Sequence, residues 1–313
     1  MIGPIFIYSS RRTGGTAFLH SFEEAKNTLV FMDPLNTNLQ NYELAKSASS
    51  SDWNSNHPQN YKYFANYFSI GKSEWFPYIP KSDGFAFKNS SEAFKEELVI
   101  YLKRLVRAAN KQNKIPIFKF EQLEGHVNLL RREFPDAIHV GIIRDQDDQY
   151  YSWLEQLSYE NATFFNIARD LIVQDPDFFT PGIYYDEKSN ESVFHTYFEG
   201  LLSLRSDLDI CINLNTESKP EILEKLKSIK MVSEEHVEIF EHALGKLSNG
   251  IETKAKFYRL IKRQIILLQQ RDELLQQRNE LLQQRDAIFR SKSWRFLRSI
   301  RNFLKIIKKV IHI

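Results

Sequence analysis

Ile5-Phe6-Ile7-Tyr8-Ser9-Ser10-Arg11-Arg12-Thr13-Gly14-Gly15-Thr16 is the stretch that decides the fold. It begins with a short apolar run and passes into a Ser/Arg/Gly loop. The segment beyond, Thr16 to Asn27, carries Phe18, Leu19, Phe22 and Ala25 at helical spacing. Strand, loop and helix therefore follow one another. The same order returns at Ile115-Pro116-Ile117-Phe118-Lys119-Phe120, after a helical pattern across Phe94–Ala109, and again at Ile138-His139-Val140-Gly141-Ile142-Ile143. A fourth run, Ile210-Cys211-Ile212-Asn213-Leu214, precedes a helix expected over Pro220–Ile229. Short β-branched runs bounded by turns or charges and alternating with helices predict an α/β fold, a parallel sheet with crossover connections.

Composition sets the limits around that core. The 313 residues are 42% hydrophobic and 26% charged, which excludes a disordered or collagen-like chain. No run approaches the roughly 18 uncharged apolar residues of a membrane span. The stretch Met1 to Tyr8 has no basic residues ahead of its apolar ones, so no secretory signal is expected and a cytoplasmic location is. A single cysteine, Cys211, leaves no internal disulfide, and without zinc-type Cys/His spacing no metal role is expected. The formal net charge of +2 hides an asymmetry: Arg290, Lys292, Arg295, Arg298, Arg301, Lys305, Lys308 and Lys309 contribute +8, leaving −6 for the rest of the chain. The expected organisation is a globular domain over residues 1–248, a heptad-repeat helical segment over 249–290 and a basic amphipathic helix over 291–313.

Between the first two strand units, Ala45–Asn60 is rich in Ser and Asn and weak in periodicity, so it reads as a loop. Tyr61, Tyr63, Phe64, Tyr67, Phe68, Trp75, Phe76 and Tyr78 follow, either as a sugar-stacking wall or as a packed subdomain, the latter being the commoner use of aromatics. Within 260–289 the pairs Leu267-Leu268, Leu274-Leu275 and Leu281-Leu282 repeat every seven residues, while Gln264, Arg271, Arg278 and Arg285 hold the complementary position. That pattern predicts a long helix with a narrow apolar stripe, suited to self-association or to a solvated spacer.

Two constellations carry chemistry. The first loop, Ser9 to Thr16, lies between a strand and a helix start, where free backbone N–H groups can meet an oxyanion. Gly14 and Gly15 allow close approach, Thr13 and Thr16 add hydroxyls, and Arg11 and Arg12 add positive charge. The bland alternative is a tight turn with an exposed arginine pair. The loop has neither the Walker pattern G-x-x-x-x-G-K-[ST] nor the dinucleotide pattern G-x-G-x-x-G. The second constellation follows the third run. Arg144 falls at its C-terminal end and Ser152 in the first turns of the next helix, where an open parallel sheet binds ligands. A guanidinium and a hydroxyl converging there suit a second phosphate.

Together these elements resemble the sulfotransferases that use 3′-phosphoadenosine 5′-phosphosulfate (PAPS). Arg12, Thr13, Gly14 and Thr16 match the family's 5′-phosphosulfate loop, and Gly15 departs from it by removing a hydroxyl. Arg144 and Ser152 match its 3′-phosphate pair with the same spacing. The likeness covers about Ile5–Ser158 and extends weakly through Ile210–Ile229; the Gly-rich third nucleotide motif of the animal cytosolic members has no counterpart. The resemblance implies a P-loop-NTPase-like three-layer domain, PAPS as donor and no metal. It makes Arg12 an electrostatic clamp on the leaving phosphate. It also places a general base two positions beyond a strand lysine, which here gives Lys119-Phe120-Glu121 and Glu121 as first choice. Glu23, Glu24, His20 and His126 remain alternatives for the base.

In the tail, apolar residues recur at Trp294, Leu297, Ile300, Leu304, Ile307 and Ile311, and the opposite side is nearly all Lys and Arg. That signature fits a helix lying in an anionic membrane interface; packing on a partner or on the domain itself is the alternative, and the broad apolar face argues against nucleic acid. Ser291-Lys292-Ser293-Trp294-Arg295 after a coiled-coil-like helix resembles the C-terminal ends of bacterial cell-surface polysaccharide enzymes, which implies a glycan or lipid-linked saccharide acceptor at the inner membrane face. The expected function is O-sulfation of a glycan in cell-surface polysaccharide biosynthesis. The rivals are a catalytically inactive nucleotide-binding protein of the same fold, and a membrane scaffold of a polysaccharide assembly complex. A nucleotide kinase is weaker because the Walker lysine context is missing.

Overall fold

The computed structural model describes residues 2–10, 13–50, 64–81, 90–121, 123–157, 163–175, 179, 185–247, 274–285, 287 and 292–311. Five strands form its sheet: β1 (Ile5–Ser9), β2 (Thr28–Met32), β3 (Ile115–Phe120), β4 (Ile138–Ile143) and β5 (Ile210–Asn213). They lie in the order β2-β3-β1-β4-β5 and every neighbouring pair is parallel. All five residues of β1 and all six of β3 are buried, which is why these strands read as continuous apolar runs instead of alternating ones.

The register sorts the side chains of the sheet. Ile7 pairs with Lys119 and Tyr8 with Phe120, so Ile5, Ile7, Ser9, Ile117 and Lys119 share one face, while Phe6, Tyr8, Phe118 and Phe120 share the other. The second face is aromatic: Phe31 stacks on Phe118 at 5.1 Å, and Phe134 meets Phe6 edge-on at 5.2 Å. Across the first face, the helix Gly15–His20 packs Phe18 at 6.2 Å from Phe240, a residue of the helix spanning 234–247. Helical segments thus cover both faces of the sheet. A second, smaller core of Trp153, Phe165, Phe194, Tyr197 and Phe198 joins the helices Gln146–Leu157, Thr163–Gln174 and Asn190–Ser203.

Four strands lie where the sequence places them, and β2 is an addition. The helical spacing of Phe18, Leu19, Phe22 and Ala25 spans a six-residue helix and then turns, not one helix to Asn27. The Thr28 hydroxyl donates to the carbonyls of Phe22 and Ala25, at 2.7 and 3.0 Å, and fixes those turns. Asn27, at φ 62, then directs the chain into β2. A second correction concerns Ala45–Asn60: residues 45–50 belong to the helix Tyr42–Ser50, whose start is capped by the Asn41 side chain accepting from Glu43 N and Leu44 N, and residues 51–60 lie outside the described residues. Of the aromatic segment, Phe64, Tyr67 and Trp75 are core residues, as the packing reading expects; Tyr61 and Tyr63 lie outside the described residues. The late helix runs Lys219–Lys227 with Pro at its start and a Ser218/Glu221 capping box.

The chain divides into two units, Met1–Ala255 and Lys256–Ile313. Within the second, residues 274–285 are helical, with Leu274 and Leu281 at 64% and 65% exposure, and Lys292–Ile311 forms a further helix. The repeat around Leu267 lies outside the described residues. Among the described residues no helix is long and apolar enough to cross a membrane.

On the aromatic face His139 is fully buried, hydrogen-bonded through Nδ1 to the Tyr8 hydroxyl at 2.8 Å and stacked on the Tyr8 ring. Burial, and secondarily the Arg131 charge, lowers its pKa to about 4. Below the ordinary value of 6.5 the unfolded chain takes up a proton that the native state refuses until about pH 4. Stability therefore falls with decreasing pH across that window, by about 1.4 kcal/mol per unit and about 3 kcal/mol in all. Denaturant unfolding at pH 7 and pH 4.5 should differ accordingly, and His139→Phe should flatten the difference; an unchanged pH slope in that variant contradicts the assignment.

Candidate functional site

The topology alone marks where a ligand belongs. The chain leaves β1 toward β2 on one side and leaves β4 toward β5 on the other, so β1 and β4, hydrogen-bonded neighbours, flank the point where the winding reverses. Ligands of open α/β sheets bind outside the strand C-termini at such a point. The loop after β1 and the segment after β4, singled out in the sequence for their chemistry, are the two walls of this crevice.

The first wall lies at Ser10, Thr13 and Gly14. Thr13 closes it by donating from both its amide and its hydroxyl to the Ser10 carbonyl, at 3.4 and 2.8 Å, so in this structure the Thr13 hydroxyl proton is committed within the loop. Gly14 sits at φ 92, a left-handed conformation that a side chain would strain. Gly15 begins the helix, and its neighbour Thr16 is half-buried. Arg11 and Arg12 lie outside the described residues.

Gly15 also has a steric reason to be glycine. A Cβ there would stand 2.0 Å from Ser9 Oγ and 2.4 Å from Ser9 Cβ, so Ser9 occupies the volume that a side chain at position 15 would need. The Ser9 hydroxyl is 1% exposed and has no hydrogen-bond partner among the described residues. A buried, unpaired hydroxyl costs about 1–3 kcal/mol unless something it can bond to arrives. The sequence pattern lacks a hydroxyl at position 15, and the fold brings one to the same place from the strand.

A cation lies beside it. Lys119 is 1% exposed on the same sheet face, with its Cε 3.6 Å from the point where a Gly15 Cβ would be. Its ammonium donates to Asp33 Oδ1 at 2.9 Å and to Glu121 Oε1 at 2.6 Å. Burial alone would lower its pKa, but the charges of Asp33 and Glu121 outweigh that and hold it above its ordinary value, so the group stays protonated. Asp33 is fixed in turn, its amide donating to the Lys119 carbonyl at 2.9 Å. Glu121, with its side chain 27% exposed against 9% for Asp33, is the more accessible carboxylate of the pair.

The second wall begins with Arg144, directly after β4 and half-buried. The helix Gln146–Leu157 follows, with Gln149 and Ser152 both 1% exposed and one turn apart on one face. Gln149 Nε2 donates to Ser10 Oγ at 2.8 Å, which ties this helix to the first loop and brings the two sequence constellations to one crevice.

The alternative bases lie in other settings. His20 pairs with Glu23 at 2.9 Å, which raises its pKa, and Glu24, exposed, is bonded to Lys246. His126 is 2% exposed and bonded through Nε2 to the Ser90 hydroxyl at 2.6 Å. Among the described residues no group of three or more His, Cys, Asp or Glu stands ready to hold a metal ion. Sequence reasoning placed Ser9 and Gln149 inside its two constellations without giving either a role, missed Asp33, and used Lys119 only as a marker for Glu121. The available signals were a lysine inside an apolar strand and a glycine where the motif wants a hydroxyl.

Comparison with models of known protein families, with characterised proteins and with solved structures finds no match for this chain.

Proposed function

We propose that the protein is a sulfotransferase that takes a sulfo group from PAPS and transfers it to a hydroxyl of a glycan, in cell-surface polysaccharide biosynthesis. The observation that carries this reading is the meeting of the loop after β1 with the segment after β4 that holds Arg144 and Ser152, tied by the Gln149–Ser10 bond outside the ends of two neighbouring strands. The unpartnered Ser9 hydroxyl, which fills the place a side chain at Gly15 would take, suits an oxyanion in the first loop. The donor supplies an activated sulfo group; everything else is done by the chain. Lys119 and Arg12 balance the negative charge that builds on the leaving phosphate, and the loop hydroxyls and amides orient its oxygens. Arg144 and Ser152 hold the 3′-phosphate and set the register of the nucleotide.

Glu121 takes the acceptor's proton as its oxygen bonds to sulfur and the bond from sulfur to the phosphate oxygen breaks, releasing adenosine 3′,5′-bisphosphate. In the free protein Lys119 holds Glu121 through one oxygen, which orients the other. The acceptor in this proposal is a glycan or lipid-linked saccharide, and the enzyme works at the cytoplasmic side, in solution or peripheral on the membrane. Glu121→Gln keeps a hydrogen bond to Lys119 but cannot accept the proton. It should lower bisphosphate release, measured with PAPS and a set of amino-sugar and uronic-acid oligosaccharides, by about a hundredfold or more while leaving bisphosphate affinity unchanged. Undiminished turnover in the variant would remove Glu121 from the mechanism. Binding without turnover in the native protein would favour the inactive nucleotide-binding reading.

A further inference from the structure

The body of the chain keeps its aromatic side chains inside, with Phe6, Phe18, Phe31 and Phe118 all fully buried. The helix Lys292–Ile311 does the reverse: Phe296 is 66% exposed, Phe303 64% and Leu304 54%. With a period of 3.6 residues, Phe296, Ile300, Phe303, Leu304, Ile307 and Ile311 fall within about a third of the helix circumference. Arg298, Arg301, Lys305 and Lys308 line another side, and no acidic residue occurs anywhere from 287 to 313. The chemistry of sulfo transfer uses none of this.

Three occupants from outside the chain could cover such an apolar face, and charge decides among them. A second copy of the helix would bring two cationic rims together with no acid to neutralise them. A nucleic acid would satisfy the cations and leave the apolar side chains in water. An anionic bilayer satisfies both: apolar side chains enter the boundary between headgroups and acyl chains, while Lys and Arg stems snorkel back to the lipid phosphates. The helix is about 30 Å long, but its evenly spaced cations forbid it from crossing. We propose that Lys292–Ile311 is an in-plane anchor for a bilayer containing anionic phospholipid.

The test is co-sedimentation of the full chain with phosphatidylcholine vesicles, with and without phosphatidylglycerol at about one lipid in three. The expected result is binding that requires the anionic lipid and weakens with added salt. Ile300→Asp with Leu304→Asp should abolish it. Replacing Arg298, Arg301 and Lys305 with Gln should weaken it about a hundredfold, since each surface cation contributes about fivefold. All five positions are solvent-exposed, so the variants should unfold at the native temperature, which is the control for folding. Absence of binding overturns the proposal, as does equal binding to both vesicle types. So does light scattering in which Ile300→Asp dissociates an oligomer that ignores vesicles, since the apolar face then belongs to a second copy. Vesicle binding and bisphosphate binding are separate readouts, so failure of either leaves the other standing.

Discussion

Lys119→Met is expected to destabilise the first unit by about 3–5 kcal/mol, the largest stability effect of any single substitution considered for this chain. Methionine fills the volume of the lysine stem, so packing is nearly conserved and charge is what changes. Asp33, with a side chain only 9% exposed, loses the ammonium at 2.9 Å, and Glu121 loses its partner at 2.6 Å. Two carboxylates that shared one buried cation then face each other without it. Breaking a buried ion pair by removing one member costs far more than the net worth of the pair, because the remaining charge stays desolvated. Asp33→Asn in the Lys119→Met background should restore part of the loss by removing that charge. Denaturant unfolding of the single and double variants measures both terms. A loss below about 1 kcal/mol in Lys119→Met would mean that the ammonium is solvated and does not belong to a buried site.

Arg144→Ala carries the largest expected effect on binding. The guanidinium stands at the end of β4, at the crevice, and the proposal gives it the 3′-phosphate as a bidentate partner. Truncating one side of such a pair costs about 2–4 kcal/mol, a loss of roughly thirty- to a thousandfold in affinity for adenosine 3′,5′-bisphosphate. Ser152→Ala removes one neutral donor and should cost about tenfold or less. The same substitutions should leave binding of adenosine 5′-phosphate nearly unchanged. A uniform loss for both nucleotides would assign Arg144 to another role.

The parallel sheet was legible because β1, β3 and β4 are buried on both faces, while β5 is a short apolar run, and all four end in turns or charges. β2 was hidden by Phe22 and Ala25, which keep the spacing of the preceding helix although the chain has already left it. Arg144 and Ser152 could be nominated from the sequence because each is local to the end of one strand. Ser9, Lys119 and Asp33 form a cluster only through strand register and a contact between residues 86 positions apart, which no local pattern encodes. Gln149 is similar: its bond to Ser10 crosses 139 positions and makes sense only once β1 and β4 are neighbours.

The central claim is a crevice built for a nucleotide with a 3′-phosphate, and calorimetric titration of the full chain with adenosine 3′,5′-bisphosphate, adenosine 5′-phosphate and ATP tests it most directly. The account predicts micromolar-range binding of the bisphosphate, about tenfold or more tighter than either other nucleotide. Equal affinity for adenosine 5′-phosphate, preference for ATP, or no binding at all would contradict it.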